Sequence, residues 1–354
     1  MIDMKQYGFI ETPPPRFGLI PARVTEQQRE LYTVVCPHGE ATAMLSGAFR
    51  HYAEAGEYPC VGDFIWLEYN ESGHSRITEL IPRRSSFARA DFSGHAVGYV
   101  KTIQQQIVAA NFDTVFIVSS LNKDFNVNRI LRYLTQAWQS GSVPVVVLTK
   151  ADLMDEADCL AAVASVEEAA PGVAVYAVSA HTGEGLDTLA PHLQPGKTVV
   201  FLGMSGVGKS SLLNALMQES VMHVSAIRED DARGRHTTTH RALFILPSGA
   251  MVIDTPGMRE LGLIDAEKGV SVGFADVEEL FTQCRFTDCR HETEPGCAVL
   301  AALEDGSLLP ERWERYHAQV REIKFTEDKA AYFQSKKTWQ KSLAIHTRKN
   351  KKKR

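Results

Sequence analysis

A glycine-rich segment that ends in a lysine and a serine has the residue types needed to bind a phosphate chain. Its residues are Gly203, Met204, Ser205, Gly206, Val207, Gly208, Lys209 and Ser210. The end glycines permit a tight turn, so the backbone amides of the loop and of the following helix, including Ser211, would face an anion. Lys209 would reach the β- and γ-phosphates of a nucleotide, and Ser210 would bind Mg²⁺. Because an apolar run precedes the segment and a helical pattern follows it, we predict a P-loop in which Lys209 is also catalytic.

A second element for phosphate chemistry lies further along the chain. Asp254 begins an Asp-Thr-Pro-Gly segment after an apolar run, so it would hold Mg²⁺ through water while the Gly257 amide contacts the γ-phosphate. The polar segment 234–239 lies where a switch loop supplies a threonine to Mg²⁺. We predict that Thr238 is this ligand and takes part in catalysis, and Thr237 is the alternative.

Two further elements indicate a guanine base. Thr149, Lys150 and Asp152 follow one apolar run, and Ser179 and Ala180 follow the next. The Asp152 carboxylate can accept hydrogen bonds from N1–H and the exocyclic amine of guanine, which adenine does not present in that arrangement. The Lys150 stem would pack over the base, and a backbone amide near Ala180 would meet guanine O6. The chain is therefore predicted to bind GTP and GDP.

The order of these elements is reversed relative to a Ras-like domain. Lys150 and Ala180 precede Gly203 and Asp254, whereas in Ras-like proteins the phosphate elements come first. Such a circular permutation is physically tolerable because domain termini commonly lie close together at the surface.

Three cysteines and a histidine lie within fourteen residues near the carboxyl end. Cys284, Cys289, His291 and Cys297 have the ligand types of a closed tetrahedral zinc site. We predict one zinc ion per chain that braces a small domain and leaves no position open for catalysis. The alternative is three buried cysteines beside an unrelated histidine.

Apolar runs and turn signals define the elements that would position these residues. Five short β-rich runs between residues 17 and 82 predict a small barrel, and spacing alone leaves both OB-like and SH3-like types open. Continuous apolar runs such as 143–148 and 198–202, which alternate with helical segments, predict a doubly wound α/β sheet. We predict an N-terminal extension and five-stranded OB-like β-barrel at 1–97, a circularly permuted α/β P-loop GTPase domain at 98–265, a zinc-binding, mainly helical domain at 266–340, and a basic tail at 341–354.

The charge of the chain is unevenly distributed. Its 354 residues carry a formal net charge of -5, and residues 341–354 hold seven basic side chains and no acid, so removing those seven leaves -12 for the rest. An acidic body repels nucleic acid at long range, and any RNA contact must use local basic patches such as this tail. A solvated end is the alternative.

Composition indicates an ordinary globular protein, with 44% hydrophobic and 23% charged residues. The sequence has no apolar run of about 18 residues, and its polar, proline-rich start lacks a signal-peptide pattern. We expect a cytoplasmic protein that does not associate with a membrane.

The permuted order, the preceding barrel and the following Cys/His cluster together resemble the bacterial ribosome small-subunit-dependent GTPase family, known as RsgA or YjeQ. The resemblance covers about residues 17–337. It implies an OB-fold barrel, a permuted GTPase that uses Mg²⁺, a zinc domain and a role in late maturation of the small ribosomal subunit. The subunit and its rRNA would be the partners, and we expect the free protein to be monomeric.

The resemblance also bears on turnover. Met258 follows the Asp-Thr-Pro-Gly segment, where Ras-like proteins have the glutamine that orients water, so slow intrinsic hydrolysis stimulated by the subunit is expected. His236 resembles the family's proposed water-positioning residue, and a solvated loop histidine is the alternative. In the first sixteen residues and the terminal lysine run we recognise no resemblance to the family.

Two other classes of function fit parts of the same pattern. A zinc-containing RNA-binding regulator would hold GTP as a structural ligand without hydrolysing it, and RNA-stimulated hydrolysis would exclude it. A GTPase that loads metal into other proteins would need exposed, exchangeable thiols, whereas this cluster is expected to be closed.

Overall fold

The computed structural model describes residues 1–10, 16–28, 30–53, 57–91, 104–122, 125–219, 241–254 and 266–325. The chain divides into two compact units. The first comprises Met1–Ala88 and Ile107–Glu260, and the second comprises Arg89–Gln106 and Leu261–Arg354.

Five strands near the amino terminus close into a barrel. They are β1 (Ile20–Gln28), β2 (Leu31–Cys36), β3 (Gly39–Leu45), β4 (Phe64–Glu68) and β5 (Ser75–Leu80), with α1 (Gly47–Tyr52) between β3 and β4. β1 pairs with β2 and β4, and β3 pairs with β2 and β5, while β4 and β5 pair with each other and complete the ring. Val24, Val34 and Ile65 point into the interior and are fully buried. The predicted five-stranded OB-like barrel is confirmed.

An α/β sheet forms the rest of the first unit. Its strands are β8 (Thr114–Ser120), β9 (Val143–Thr149), β10 (Ala174–Ala177), β11 (Thr198–Leu202), β12 (Arg241–Ile245) and β13 (Met251–Asp254). Three helices follow individual strands in sequence: α2 (Val127–Gln139), α3 (Glu156–Ala169) and α4 (Lys209–Met217). A separate pair of strands, β6 (Ser86–Asp91) and β7 (Gln104–Ala110), precedes this sheet in the chain.

The strand order of this sheet is β10-β9-β8-β11-β13-β12, and only the β12–β13 pair among the described strands of this part is antiparallel. The central strands are buried along nearly their whole length, which explains their continuous apolar sequences. Because β8, β9, β10, β11 and β13 run in the same direction, the loops that follow them meet at one edge of the sheet. The predicted doubly wound α/β architecture is confirmed.

The barrel and the α/β sheet share backbone hydrogen bonds. β1 pairs antiparallel with β12, with Glu26 opposite Ala242 and Gln27 opposite Arg241. One eleven-stranded sheet therefore runs from β10 to the barrel strand β4.

A buried arginine lies where the barrel meets the α/β sheet. Arg23 of β1 has no exposed surface, and its Nη1 donates to the Tyr7 carbonyl at 2.6 Å and to Thr198 Oγ1 at 3.0 Å. Its Nε and Nη2 donate to the carbonyls of Gly62 and Asn111, at 3.2 Å and 3.0 Å. Burial lowers the pKa of Arg23 to about 9, so the side chain remains charged at neutral pH.

The amino-terminal residues belong to this junction. A short 3-10 helix, Met4–Tyr7, buries Met4, and Gly8 follows it with φ +75°. A Cβ at Gly8 would lie 2.8 Å from the Gly196 carbonyl oxygen, so a side chain there has no room. The first residues of the chain thus help to join the two parts of the first unit.

The second unit is mainly helical, as predicted. It contains α5 (Glu267–Gly273), α6 (Ala275–Phe281), α7 (Ala298–Asp305) and a further helix, α8, at 310–325. Val270, Phe274, Val277 and Val299 form its core with Ile323. Among the described residues, no helix combines the length and apolar character needed to cross a membrane.

Candidate functional site

The glycine-rich segment forms the turn between β11 and α4. Gly203 follows β11 directly, and a Cβ there would collide with the Val118 carbonyl oxygen of β8. Gly208 has φ +97° and precedes Lys209, the first residue of α4. Both end glycines are therefore required by the backbone, and the helix amino terminus faces the loop as an anion site needs.

The Lys209 ammonium group is hydrogen-bonded to the backbone of this loop. Lys209 Nζ donates to the carbonyls of Gly203 and Met204, at 2.7 Å and 2.5 Å. Asp254, at the end of β13, is 8% exposed. Burial raises the pKa of its carboxyl, and the charge of Lys209 opposes this shift. The structure therefore brings the Lys209 and Asp254 side chains to the same end of the sheet, with Ser210 in the first turn of α4.

The base-reading loop is hydrogen-bonded to the phosphate loop. Thr149, the last residue of β9, donates through Oγ1 to the Val207 carbonyl at 2.5 Å and lies 3.3 Å from the Ser119 carbonyl. Lys150 Nζ donates to the Gly206 carbonyl at 3.0 Å. Lys150 has φ +64°, a left-handed conformation that turns the chain sharply after the strand. The two loops thus hold one another in place.

Asp152 and Ser179 lie together although they follow different strands. Ser179 Oγ donates to Asp152 Oδ1 at 2.6 Å and accepts from the amides of His181 and Thr182, at 3.2 Å and 3.1 Å. Ser179 is fully buried, whereas Asp152 is exposed. The hydroxyl therefore fixes the orientation of the carboxylate, and both of its oxygens keep acceptor capacity for a base.

An open depression of about 510 Å³ adjoins these residues. Ala180 and Ser211 line it, as the sequence analysis implied, together with His181, Asn214 and Gln218. The last three were not predicted. The helical pattern after the P-loop could have indicated Asn214, because it lies one turn after Ser211 on α4 and so shares its face.

Several predicted site residues cannot be placed. Gly257, Thr237, Thr238 and His236 lie outside the described residues, as does the tail at 341–354. Their assignments remain predictions.

The second unit brings together all four residues of the Cys/His set. The ligand atoms of Cys284, Cys289, His291 and Cys297 lie within 4.8 Å of one another. His291 Nδ1 is 3.6 Å from Cys284 Sγ and 3.4 Å from Cys297 Sγ, and the two sulfurs are 4.0 Å apart. A tetrahedral zinc site has Zn–S bonds of about 2.3 Å and Zn–N bonds of about 2.0 Å, which gives edges of about 3.8 Å between sulfurs and about 3.5 Å between sulfur and nitrogen. The cluster is compatible with zinc.

The protonation of these groups also suits a cation. Burial raises the pKa of Cys284, but hydrogen bonds to its sulfur from the amides of Ala298 and Val299 and from the thiols of Cys289 and Cys297 together lower it below its ordinary value. Burial lowers the pKa of His291 and favours the neutral form that binds metals. Burial and the neighbouring sulfurs raise the pKa of Cys289 to about 11. A bound metal ion would oppose this shift, because its positive charge stabilises the thiolate.

Comparison with known proteins agrees with this geometry. A family model described as RsgA GTPase matches residues 80–264. A protein of Lactiplantibacillus plantarum, "Small ribosomal subunit biogenesis GTPase RsgA 2", is 45% identical over 310 residues, 87% of this chain and 84% of that protein. A protein of the same name from Listeria monocytogenes is 42% identical over 98% of each chain.

Solved structures show the same fold. The crystal structure of YjeQ from Thermotoga maritima aligns with a TM-score of 0.64 and 28% identity, covering 86% of this chain and 98% of that one. The structure of YloQ, described as a circularly permuted GTPase, aligns with a TM-score of 0.61 and 24% identity over 89% of this chain and 99% of its own. The chain therefore belongs to the RsgA family and is a circularly permuted GTPase.

Proposed function

We propose that this GTPase binds the small ribosomal subunit and assists its late maturation, with slow intrinsic turnover that the subunit stimulates. The name "Small ribosomal subunit biogenesis GTPase", which relatives 42–45% identical over most of the chain carry, supports the partner. The observation that carries the chemistry is the hydrogen-bonded contact of Thr149 and Lys150 with the P-loop. This contact fixes the distance between base and phosphate recognition.

Each side chain then has a defined task on bound GTP. Asp152 accepts from the guanine edge, while the P-loop amides and Lys209 bind the phosphates. Ser210 and Asp254 would hold Mg²⁺ together with Thr238, and the Gly257 amide would contact the γ-phosphate. Bound Mg²⁺ neutralises charge that develops on the phosphate oxygens. His236 positions the attacking water.

We propose one zinc ion at Cys284, Cys289, His291 and Cys297. With four protein ligands the site is closed, so zinc stabilises the loop between α6 and α7 and takes no part in hydrolysis. Four protein side chains would fill all the coordination positions, which disfavours a function in loading metal into other proteins.

We further propose that rRNA is contacted through local basic segments, including the tail at 341–354, by a protein that is monomeric and cytoplasmic. Each phosphate contact releases counterions, so truncation after Thr338 should flatten the salt dependence of subunit binding and leave GTP affinity unchanged. Superimposable curves of subunit affinity against salt for the full-length and truncated proteins would exclude the tail as an RNA contact.

The proposed function is tested by measuring phosphate release from GTP with and without purified small ribosomal subunits. We expect slow release by the free protein and at least tenfold faster release with subunits, consistent with the contributions of stimulatory groups in other GTPases. Tight GTP binding without phosphate release in either condition would favour the zinc-containing RNA-binding regulator instead. Equal rates with subunits and with an unrelated RNA would remove the assignment of the partner.

A further inference from the structure

The loop that carries His291 has an unusual backbone conformation. His291 has φ +62°, in the left-handed region that residues with a side chain rarely adopt. Such a conformation persists where the surrounding contacts enforce it. In this loop it directs Nδ1 towards Cys284 Sγ and Cys297 Sγ, at 3.6 Å and 3.4 Å.

One side chain bonds the backbone on both sides of His291. Glu294 Oε1 accepts from the Arg290 amide at 2.9 Å, and Oε2 accepts from the amides of Glu292 and Thr293 at 2.9 Å and 3.0 Å. The Glu294 carbonyl accepts in turn from the Cys297 amide at 3.3 Å. Glu294 therefore joins the backbone around the histidine to the cysteine that begins α7.

We propose that Glu294 is a positioning residue for the metal: it presets the backbone that presents His291, although it is not itself a ligand. The inference rests on the proposed zinc site. Both carboxylate oxygens are engaged by amides, so Glu294 acts through the backbone. Three amides converging on one carboxylate form charge-assisted hydrogen bonds, which are stronger than bonds between neutral groups.

The expected consequence is a preorganised site. Without Glu294 the loop can relax from the left-handed conformation, and binding zinc would then have to order it. Groups that orient metal ligands from outside the coordination shell commonly change metal affinity by about 10–100-fold when they are removed.

The experiment compares full-length wild type with Glu294→Ala, Glu294→Gln and Glu292→Ala. Glu292 is the matched control, because it is an exposed acid in the same loop, and its replacement by alanine keeps the amide that donates to Glu294 Oε2. Zinc affinity is measured by competition with a chromophoric chelator at low and high salt, and ligand geometry by the visible spectrum of the Co²⁺-substituted protein.

We expect Glu294→Ala to weaken zinc binding by about 10–100-fold. Glu294→Gln, which keeps a single carbonyl acceptor, should fall in between, and Glu292→Ala should match wild type. The losses should persist at high salt, because a positioning effect is not screened as a bare charge is. A Co²⁺ spectrum still typical of tetrahedral thiolate ligation would show that the ligands are retained.

Three results would overturn the inference: wild-type zinc affinity in both Glu294 variants, an equal loss in Glu292→Ala, or a loss that disappears at high salt. If Glu294→Ala does not fold, Glu294→Gln decides, since it preserves size and one acceptor. Wild-type protein that binds no zinc would instead refute the zinc site, so the two failures are distinguishable.

Discussion

The nucleotide site and the Cys/His cluster bring their side chains together in opposite ways. Asp152, Ser179, Lys209 and Asp254 are widely separated in sequence and meet because parallel strands end at one edge of a sheet. The four residues of the cluster lie within fourteen positions and occupy the irregular segment between α6 and α7.

The two sites differ in whether they depend on their ligand for their structure. The nucleotide residues are held by a buried sheet, so a substitution at a loop should change binding while the fold remains. The cluster residues lie in a segment with few elements of its own, and for such sites the free energy of metal binding is also free energy of folding. A ligand lost from the cluster should therefore affect structure first.

The largest effect is expected from Cys289→Ser. Structural zinc sites bind with about 10–16 kcal/mol, and losing one of four ligands should abolish stoichiometric zinc and expose the second unit to limited proteolysis. GTP affinity should stay within about twofold. Cys159→Ser, a cysteine of α3 outside the cluster, is the control for thiol loss. Full zinc content and unchanged proteolysis in Cys289→Ser would contradict the comparison.

Lys209→Ala should have the next largest effect and leave the fold intact. Hydrogen bonds to charged groups contribute about 1.5–3 kcal/mol, so GTP affinity should fall about 10–100-fold, with hydrolysis reduced at least as much. Circular dichroism and zinc content should match wild type. Lys197→Ala is the control, because that lysine lies outside the P-loop and its Nζ is 3.1 Å from Asp113 Oδ1. Undiminished hydrolysis would reject the phosphate assignment.

Asp152→Asn should reduce specificity more than affinity. An amide cannot accept both guanine donors, so the preference for GTP over ATP should fall by about 1–3 kcal/mol, roughly 5–150-fold. Competition between labelled GTP and unlabelled ATP measures it. Asp155→Asn is the control, since asparagine serves equally well at that helix N-cap. Unchanged discrimination would mean that another group reads the base.

The smallest effect is expected from Thr149→Val, which removes one of the two hydrogen bonds between the base-reading and phosphate loops and leaves the Lys150–Gly206 bond in place. One hydrogen bond contributes about 0.5–1.5 kcal/mol, so GTP and GDP affinity should both fall about 2–10-fold while discrimination against ATP persists. Thr149→Ser should restore affinity. If the valine variant binds as wild type does, the sheet and the Lys150–Gly206 bond suffice to hold the two loops together.

Much of this arrangement could be predicted from the sequence, for reasons that differ between elements. The apolar runs at 143–148 and 198–202 closely match β9 and β11, because a strand buried on both faces has no polar alternation to confuse its limits. The cysteine spacing identified a cluster because all its members are close in the chain.

Contacts between distant segments could not be predicted. The bond from Thr149 to Val207 depends on the placement of β9 and β11 on either side of β8, which no local pattern specifies. Arg23 lies in a strand, where a charged side chain normally indicates a solvent-exposed position. It is buried because the amino-terminal residues supply the Tyr7 carbonyl and the Asn111 carbonyl lies opposite. The contacts of Glu294 likewise depend on a left-handed residue that the sequence does not reveal.

The pairing of β1 with β12 also affects self-association. An uncovered outer strand offers unpaired amides and carbonyls to other molecules, which is a common route to aggregation. β1 covers the first residues of β12, and β1 itself belongs to a closed ring. A shortened protein without the barrel would expose that strand, so its insolubility would reflect an unprotected edge of the sheet and not a failure of the GTPase domain to fold.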